Sequence, residues 1–193
     1  WDPHLDARTQ DDAFAASLSP VARAFGSAGT DFVRWLGEVA RAERDLLIEG
    51  RVDGRAPSSV EMRNGQAYLQ GWETWDDVSN LASKLPAKSA QMTQPNKLGL
   101  VEMRNPLHAG PGYSAEVEPL LAAMERTFSS LAARADALRA RIPSNARDLF
   151  DDLADSAKMT ALRAAQIHGL YDYVDGYWDS ARARRLGSRG SVC

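Results

Sequence analysis

Apolar residues recur at alternating steps of three and four along two long stretches of the last third of the chain, Val117 to Leu138 and Phe150 to Ala181. That spacing returns side chains to one side of an α-helix. The first stretch offers the seam Val117, Leu121, Met124, Phe128, Leu131, Ala135 and Leu138. The second offers Phe150, Leu153, Ala157, Thr160, Ala164, Ile167, Tyr171, Val174, Trp178 and Ala181. Alanines in its middle third let a neighbouring helix approach closely. Pro119 fits only a first helical turn, and Pro143 ends the first helix. Ser144 or Asn145 is then expected to cap the second. The connection is so short that the helices must fold back on one another, which predicts an antiparallel hairpin over 116–186.

A third amphipathic pattern covers 30–50, where Phe32, Trp35, Val39, Ala42 and Leu46 share a face while Arg34, Glu38, Arg41 and Asp45 lie elsewhere. Thr30 is the expected cap and Gly50 the expected stop. Residues 1–29 read as an N-terminal arm and short helices: Trp1 to Asp11 is polar and aperiodic, a short helix is expected over 12–18, and Ser19-Pro20 spells a cap followed by proline at the first helical position.

Residues 51–112 are expected to be irregular, with Pro95, Pro106 and Pro111 breaking any long element and a short helix near 75–85 that Pro86 ends. The stretch 60–69 carries two opposed signals. Asn64-Gly65 between alternating residues favours a β-hairpin, whereas Ser58-x-x-Glu61 is a capping-box spelling that favours helix; the hairpin is slightly preferred. The pentapeptide Val-Glu-Met-Arg-Asn occurs at 60–64 and again at 101–105, and antiparallel pairing would set Glu61 opposite Arg104 and Arg63 opposite Glu102. Coincidence is the simpler account, which leaves a small hairpin or a two-stranded pairing around 60–69 and 98–104 as an open addition. The expected fold is all-α: one helical domain over 1–193, an antiparallel helical bundle built on the C-terminal hairpin.

Composition narrows the function classes. With 193 residues, 44% of them hydrophobic and 25% charged, the chain can bury a core without covalent staples. A net charge of -3 argues against general nucleic-acid binding, which needs a basic face. No apolar run approaches the roughly 20 residues that span a bilayer. The single cysteine, Cys193, excludes an intrachain disulfide and a cysteine-based metal site.

Three constellations could carry chemistry. Asp151-Asp152-x-x-Asp155 resembles, over these five residues, the DDxxD pattern with which isoprenoid synthases hold magnesium and diphosphate. The plainer reading is preferred: acidic residues in the first turns of a helix offset its dipole. His168, Asp172, Asp175 and Asp179 form a stripe that could offer imidazole and carboxylates to a divalent metal, but it falls roughly 110° from the centre of the apolar seam by helical rotation. A solvated acidic face is therefore expected. Tyr171, Tyr173, Tyr177 and Trp178 form the densest aromatic cluster, expected first as core or interface filling. Its sharper reading is a pocket between helices to which Trp35, Trp72 and Trp75 could add a wall. His4 and His108 stand alone, without a nucleophile, phosphate-loop or zinc-protease pattern.

No family resemblance extends over a useful length. The expected function is interaction or assembly, through self-association or another protein, ahead of a ligand-binding bundle and a divalent-metal enzyme. No cofactor is expected.

Overall fold

The structure is a computed structural model and describes residues 7–57, 65, 69 and 113–189. Helix α1 (Ala7–Ser17) and α2 (Ser19–Ala24) lead through a 3-10 turn (Gly26–Ala28) into α3 (Gly29–Ala42), which runs on as a π-helical turn, Glu43–Ile48. A second π-helical turn (Tyr113–Val117) opens α4 (Glu118–Arg139), and a 3-10 turn (Ser144–Ala146) opens α5 (Arg147–Arg189). The described residues are mostly helical and contain no strand. No helix among them is long and apolar enough to cross a membrane.

Several boundaries follow from single residues. Gly50 ends the π-helical turn with φ +62, a value a side chain would strain. The chain then reverses at Asp53-Gly54, both with positive φ (+50 and +76), so that Val52 and Arg55 exchange two backbone hydrogen bonds of 3.1 and 2.9 Å. These are the dihedrals of the two-residue hairpin turn that Asp-Gly favours. Pro119 sits in the first turn of α4, as its missing N–H requires.

Other boundaries depart from the sequence reading. Helix α1 takes in residues 7–11, which alone carry no apolar period, and it lies against α3. Thr30 lies inside α3, and the residue before that helix, Ala28, makes no side-chain cap. The Gly26–Ala28 turn supplies the entry instead. Ser144 and Asn145 likewise belong to a 3-10 turn with no side-chain capping bond. Of the 60–69 stretch only Gly65 and Leu69 are described; the 75–85 helix, Trp72, Trp75 and the duplicated pentapeptide lie outside the described residues.

The core lies between α3, α4 and α5. Every expected seam residue of α4 from Val117 to Ala135 is buried, with Leu138 partly so. On α3, Phe32, Trp35, Ala42 and Leu46 are buried and Val39 partly so. Helices α4 and α5 run in opposite directions: Arg139, at the end of α4, reaches Asp151, while Glu118 and Glu125, near its start, reach His168. Of the seam expected on α5, Phe150, Ala157, Ala164, Ile167 and Tyr171 are buried, and the buried face is turned slightly to one side of that line. Ala154 and Ala161 are buried where Leu153 and Thr160 are only half-buried, because the smaller side chains let α4 come closer.

Trp35 joins the three helices. Fully buried, its indole N–H donates to the Leu131 carbonyl of α4 at 2.9 Å, and its ring lies 6.0 Å from Phe150 of α5. Phe32 stacks on Phe25 at 3.9 Å and meets Phe150 edge-on at 6.2 Å. Offset and edge-on pairs of this kind add about 0.5–1.5 kcal/mol each beyond the area they bury.

Two glycines of α3 have opposite surroundings. A Cβ on Gly29 would stand 2.1 Å from the Ala22 carbonyl oxygen, whereas one on Gly37 would meet nothing within 4 Å. Gly29→Ala is therefore expected to destabilise the protein by about 1–3 kcal/mol through overpacking of α2 on α3. Gly37→Ala should instead stabilise it by about 0.5–1 kcal/mol through helix propensity. Denaturant melts of the two variants check both signs.

Candidate functional site

The sequence-nominated aromatics separate into packed, exposed and undescribed groups. Trp35 is part of the closed core, its one polar group satisfied. Tyr171 is buried where α5 meets the rest of the core, and Tyr173, two residues on, is exposed. The side chains of Tyr177 and Trp178 lie outside the described ones. Trp35 packs on Phe150, and Tyr171 lies 21 residues further along α5, about 31 Å away, so the two do not wall one pocket.

His168 departs from the expected solvated face. The turned seam of α5 carries it inward, to 16% side-chain exposure, where Nδ1 meets Glu125 of α4 at 2.5 Å. Its Nε2 faces Glu118 at 3.9 Å and Asp172 at 3.6 Å. The imidazole thus fastens α5 to α4 with one short hydrogen bond to Glu125 and a longer contact to Glu118, while its contact with Asp172 stays within α5. Asp172 and Asp179 remain exposed, and Asp175 is half-buried. With Nδ1 taken up by Glu125, the ring is already spoken for on that side. No group of three or more histidine, cysteine, aspartate or glutamate side chains among the described residues is arranged to hold a metal ion.

The DDxxD carboxylates are engaged differently. Asp151 pairs with Arg139 at 2.8 Å and Asp155 lies 3.7 Å from the same guanidinium, while Asp152 is exposed. Arg139 also stands 3.8 Å from Asp136. The pairs with Asp151 and Asp155 tie the end of α4 to the second and third turns of α5.

Two surface features were not read from the sequence. One is a groove of about 520 Å³ between α3 and α4, floored by Ala42, Leu46, Ala123 and Leu131 and rimmed by charge. Its rim carries Arg41, Arg51, Arg126 and Arg134 against Glu38, Asp45 and Asp53. Arg134 is paired with Glu38 and Arg51 with Glu49. The residues come from distant stretches, so only the packing of α3 on α4 assembles them.

The other feature is the outer face of α5. Asp155, Met159, Leu162, Gln166, Gly169, Tyr173, Gly176 and Ser180 follow steps of four and three, and all but half-buried Gln166 are exposed. Met159, Leu162 and Tyr173 have 67, 59 and 52% of their surface in water. A Cβ on Gly169 or Gly176 would meet nothing within 4 Å. A second heptad register was legible in principle, yet its two glycines, glutamine and serine dilute the apolar signal. Comparison with protein-family models, with curated proteins and with solved structures finds no match.

Charge also ties α3 to the end of α4. Arg141 donates to Asp31 at 2.7 Å and to the Ser27 carbonyl at 3.2 Å, and Arg34 adds a 3.2 Å contact to Asp31. The hydrogen bond from Arg141 has the largest effect on the Asp31 carboxyl; desolvation opposes it, and the charges of Arg141 and then Arg34 add to it, so the group is held below its usual range. A depressed folded-state pKa stabilises the protein above the unfolded-state value and ceases to do so as pH falls through the folded one. Asp31→Asn is therefore expected to lower the melting temperature at pH 7 and to melt like the parent once both states are protonated in strong acid. Thermal melts of the pair across that range measure it; a difference that persists in strong acid would refute the assignment.

Proposed function

We propose that the protein is a helical-bundle interaction or assembly protein, working through self-association or partner binding on α5. The observation that carries this reading is the exposed apolar stripe Met159, Leu162 and Tyr173 on the outer face of that helix. Scattered exposed apolar residues need no explanation, but three on one heptad register of one long helix form a directed surface. Length supports the reading as well. At 1.5 Å per residue α5 is about 65 Å long and α4 about 33 Å. Glu118, the first residue of α4, meets His168, and α5 continues from there to Arg189, about 31 Å further.

A ligand-binding reading is favoured by the groove between α3 and α4, whose rim holds one more arginine than carboxylates. Its ligand would be a small acidic molecule held by guanidinium forks. Calorimetric titration with inorganic phosphate checks it: heat is expected from the parent and its loss from Arg126→Ala, and an absence of heat from the parent retires the reading.

For the assembly reading, Leu162→Ser separates function from folding. Leu162 is exposed, so the substitution should change unfolding free energy by no more than about 0.5 kcal/mol. Association should weaken about tenfold or more, as when an apolar anchor is lost from an interface centre. Sedimentation equilibrium of parent and variant reads the second effect and a denaturant melt the first. A parent that is strictly monomeric at high concentration and binds no partner would end the reading.

A further inference from the structure

We infer that the occupant of the outer face of α5 is a second copy of this chain, with its own α5 lying antiparallel across a two-fold axis near Gly169; this rests on the assembly reading above. Charge decides the direction. The first turns of α5 carry Asp148, Asp151, Asp152 and Asp155, and its last turns carry Arg182, Arg184, Arg185 and Arg189. A parallel pair would lay the arginine-rich end against its own copy, with like charges facing one another. An antiparallel pair lays it against the acidic first turns. Asp151 and Asp155 already share Arg139 within the chain, and Asp148 and Asp152 remain exposed beside them.

The same charges set the register. Bringing the basic turns opposite the acidic ones places the axis near residue 169, which is also the middle of the helix Arg147–Arg189. Full overlap of the two helices and full charge complementarity thus require the same alignment. In that alignment Gly169 lies at the axis, Met159 falls opposite Ser180, and Gln166 falls opposite Tyr173. Gly169 and Gly176 have open space where a Cβ would stand, so the two backbones can approach closely about the axis. The inner face of each α5 stays on its own α4, which keeps the two helical bodies on opposite sides of the new interface. Self-complementarity of one patch is the defining property of a two-fold interface.

Cysteine cross-linking of the full chain in a Cys193→Ser background tests the arrangement. Gly169→Cys is expected to form a disulfide with its own copy. Met159→Cys and Ser180→Cys should each fail to do so alone, being about 30 Å from their own copies, but should link to one another when mixed. Sedimentation equilibrium accompanies each variant, and a dimer is expected. If all three positions link to themselves, the pair is parallel; if a dimer forms without any of these links, another face is used. Either result overturns this inference and leaves the assembly reading standing. A monomer at all concentrations, with no links, overturns this inference; absence of partner binding as well would end the assembly reading.

Discussion

A buried indole N–H must find an acceptor, and in this protein that requirement fixes how three helices meet. Trp35 has no water around it, so leaving its donor unpaired would cost about 1–3 kcal/mol. The Leu131 carbonyl supplies the acceptor from α4 while Phe150 of α5 and Phe32 of α3 supply the ring's apolar surroundings. Sliding α4 by one residue along α3 would take the carbonyl away from the indole. The stacked Phe25–Phe32 pair extends the same constraint into the chain before α3. Charge then closes the edges: Arg134 with Glu38, Arg141 with Asp31, Arg139 with Asp151. Each is partly exposed and worth little alone. Their value is in direction, since each joins a particular pair of turns.

Periodicity made the core of α3 and α4 legible because large side chains at fixed steps admit only one buried face. Gly50 and Pro119 were legible because their backbone chemistry leaves few alternatives. Helix α5 was harder. Its middle is alanine on several sides, so apolar period alone does not say which alanines face inward, and the packed face turned toward Ala154 and Ala161. Residues 7–11 are polar and aperiodic, so the sequence pattern alone does not mark them as helix. Caps at Thr30 and Ser144 were expected from residue type, but short 3-10 turns make those entries instead.

Site chemistry was less legible than fold. The turn of α5 moved His168 from an expected wet face to the α4 boundary, and with it the meaning of the acidic stripe: Glu125 and Glu118 come from 43 and 50 residues earlier in the chain. The arginine-rimmed groove has the same origin in distant segments. The outer stripe of α5 lies on one continuous helix, but small and polar members hide it from a reading that counts only large apolar residues. Trp35, placed by its spacing on the apolar seam of α3, is buried there.

Gly65 occupies a slot that no single helix forms. A Cβ there would stand 2.0 Å from the Leu46 carbonyl oxygen and 2.7 Å from the Met124 side chain, so the residue is wedged between the π-helical turn that follows α3 and the middle of α4. Neither surface alone forms the slot. Leu69, four residues on, offers its carbonyl to Arg163 of α5 at 2.7 Å. Gly65 and Leu69 are thus held by partners that stand together only where α3, α4 and α5 have met.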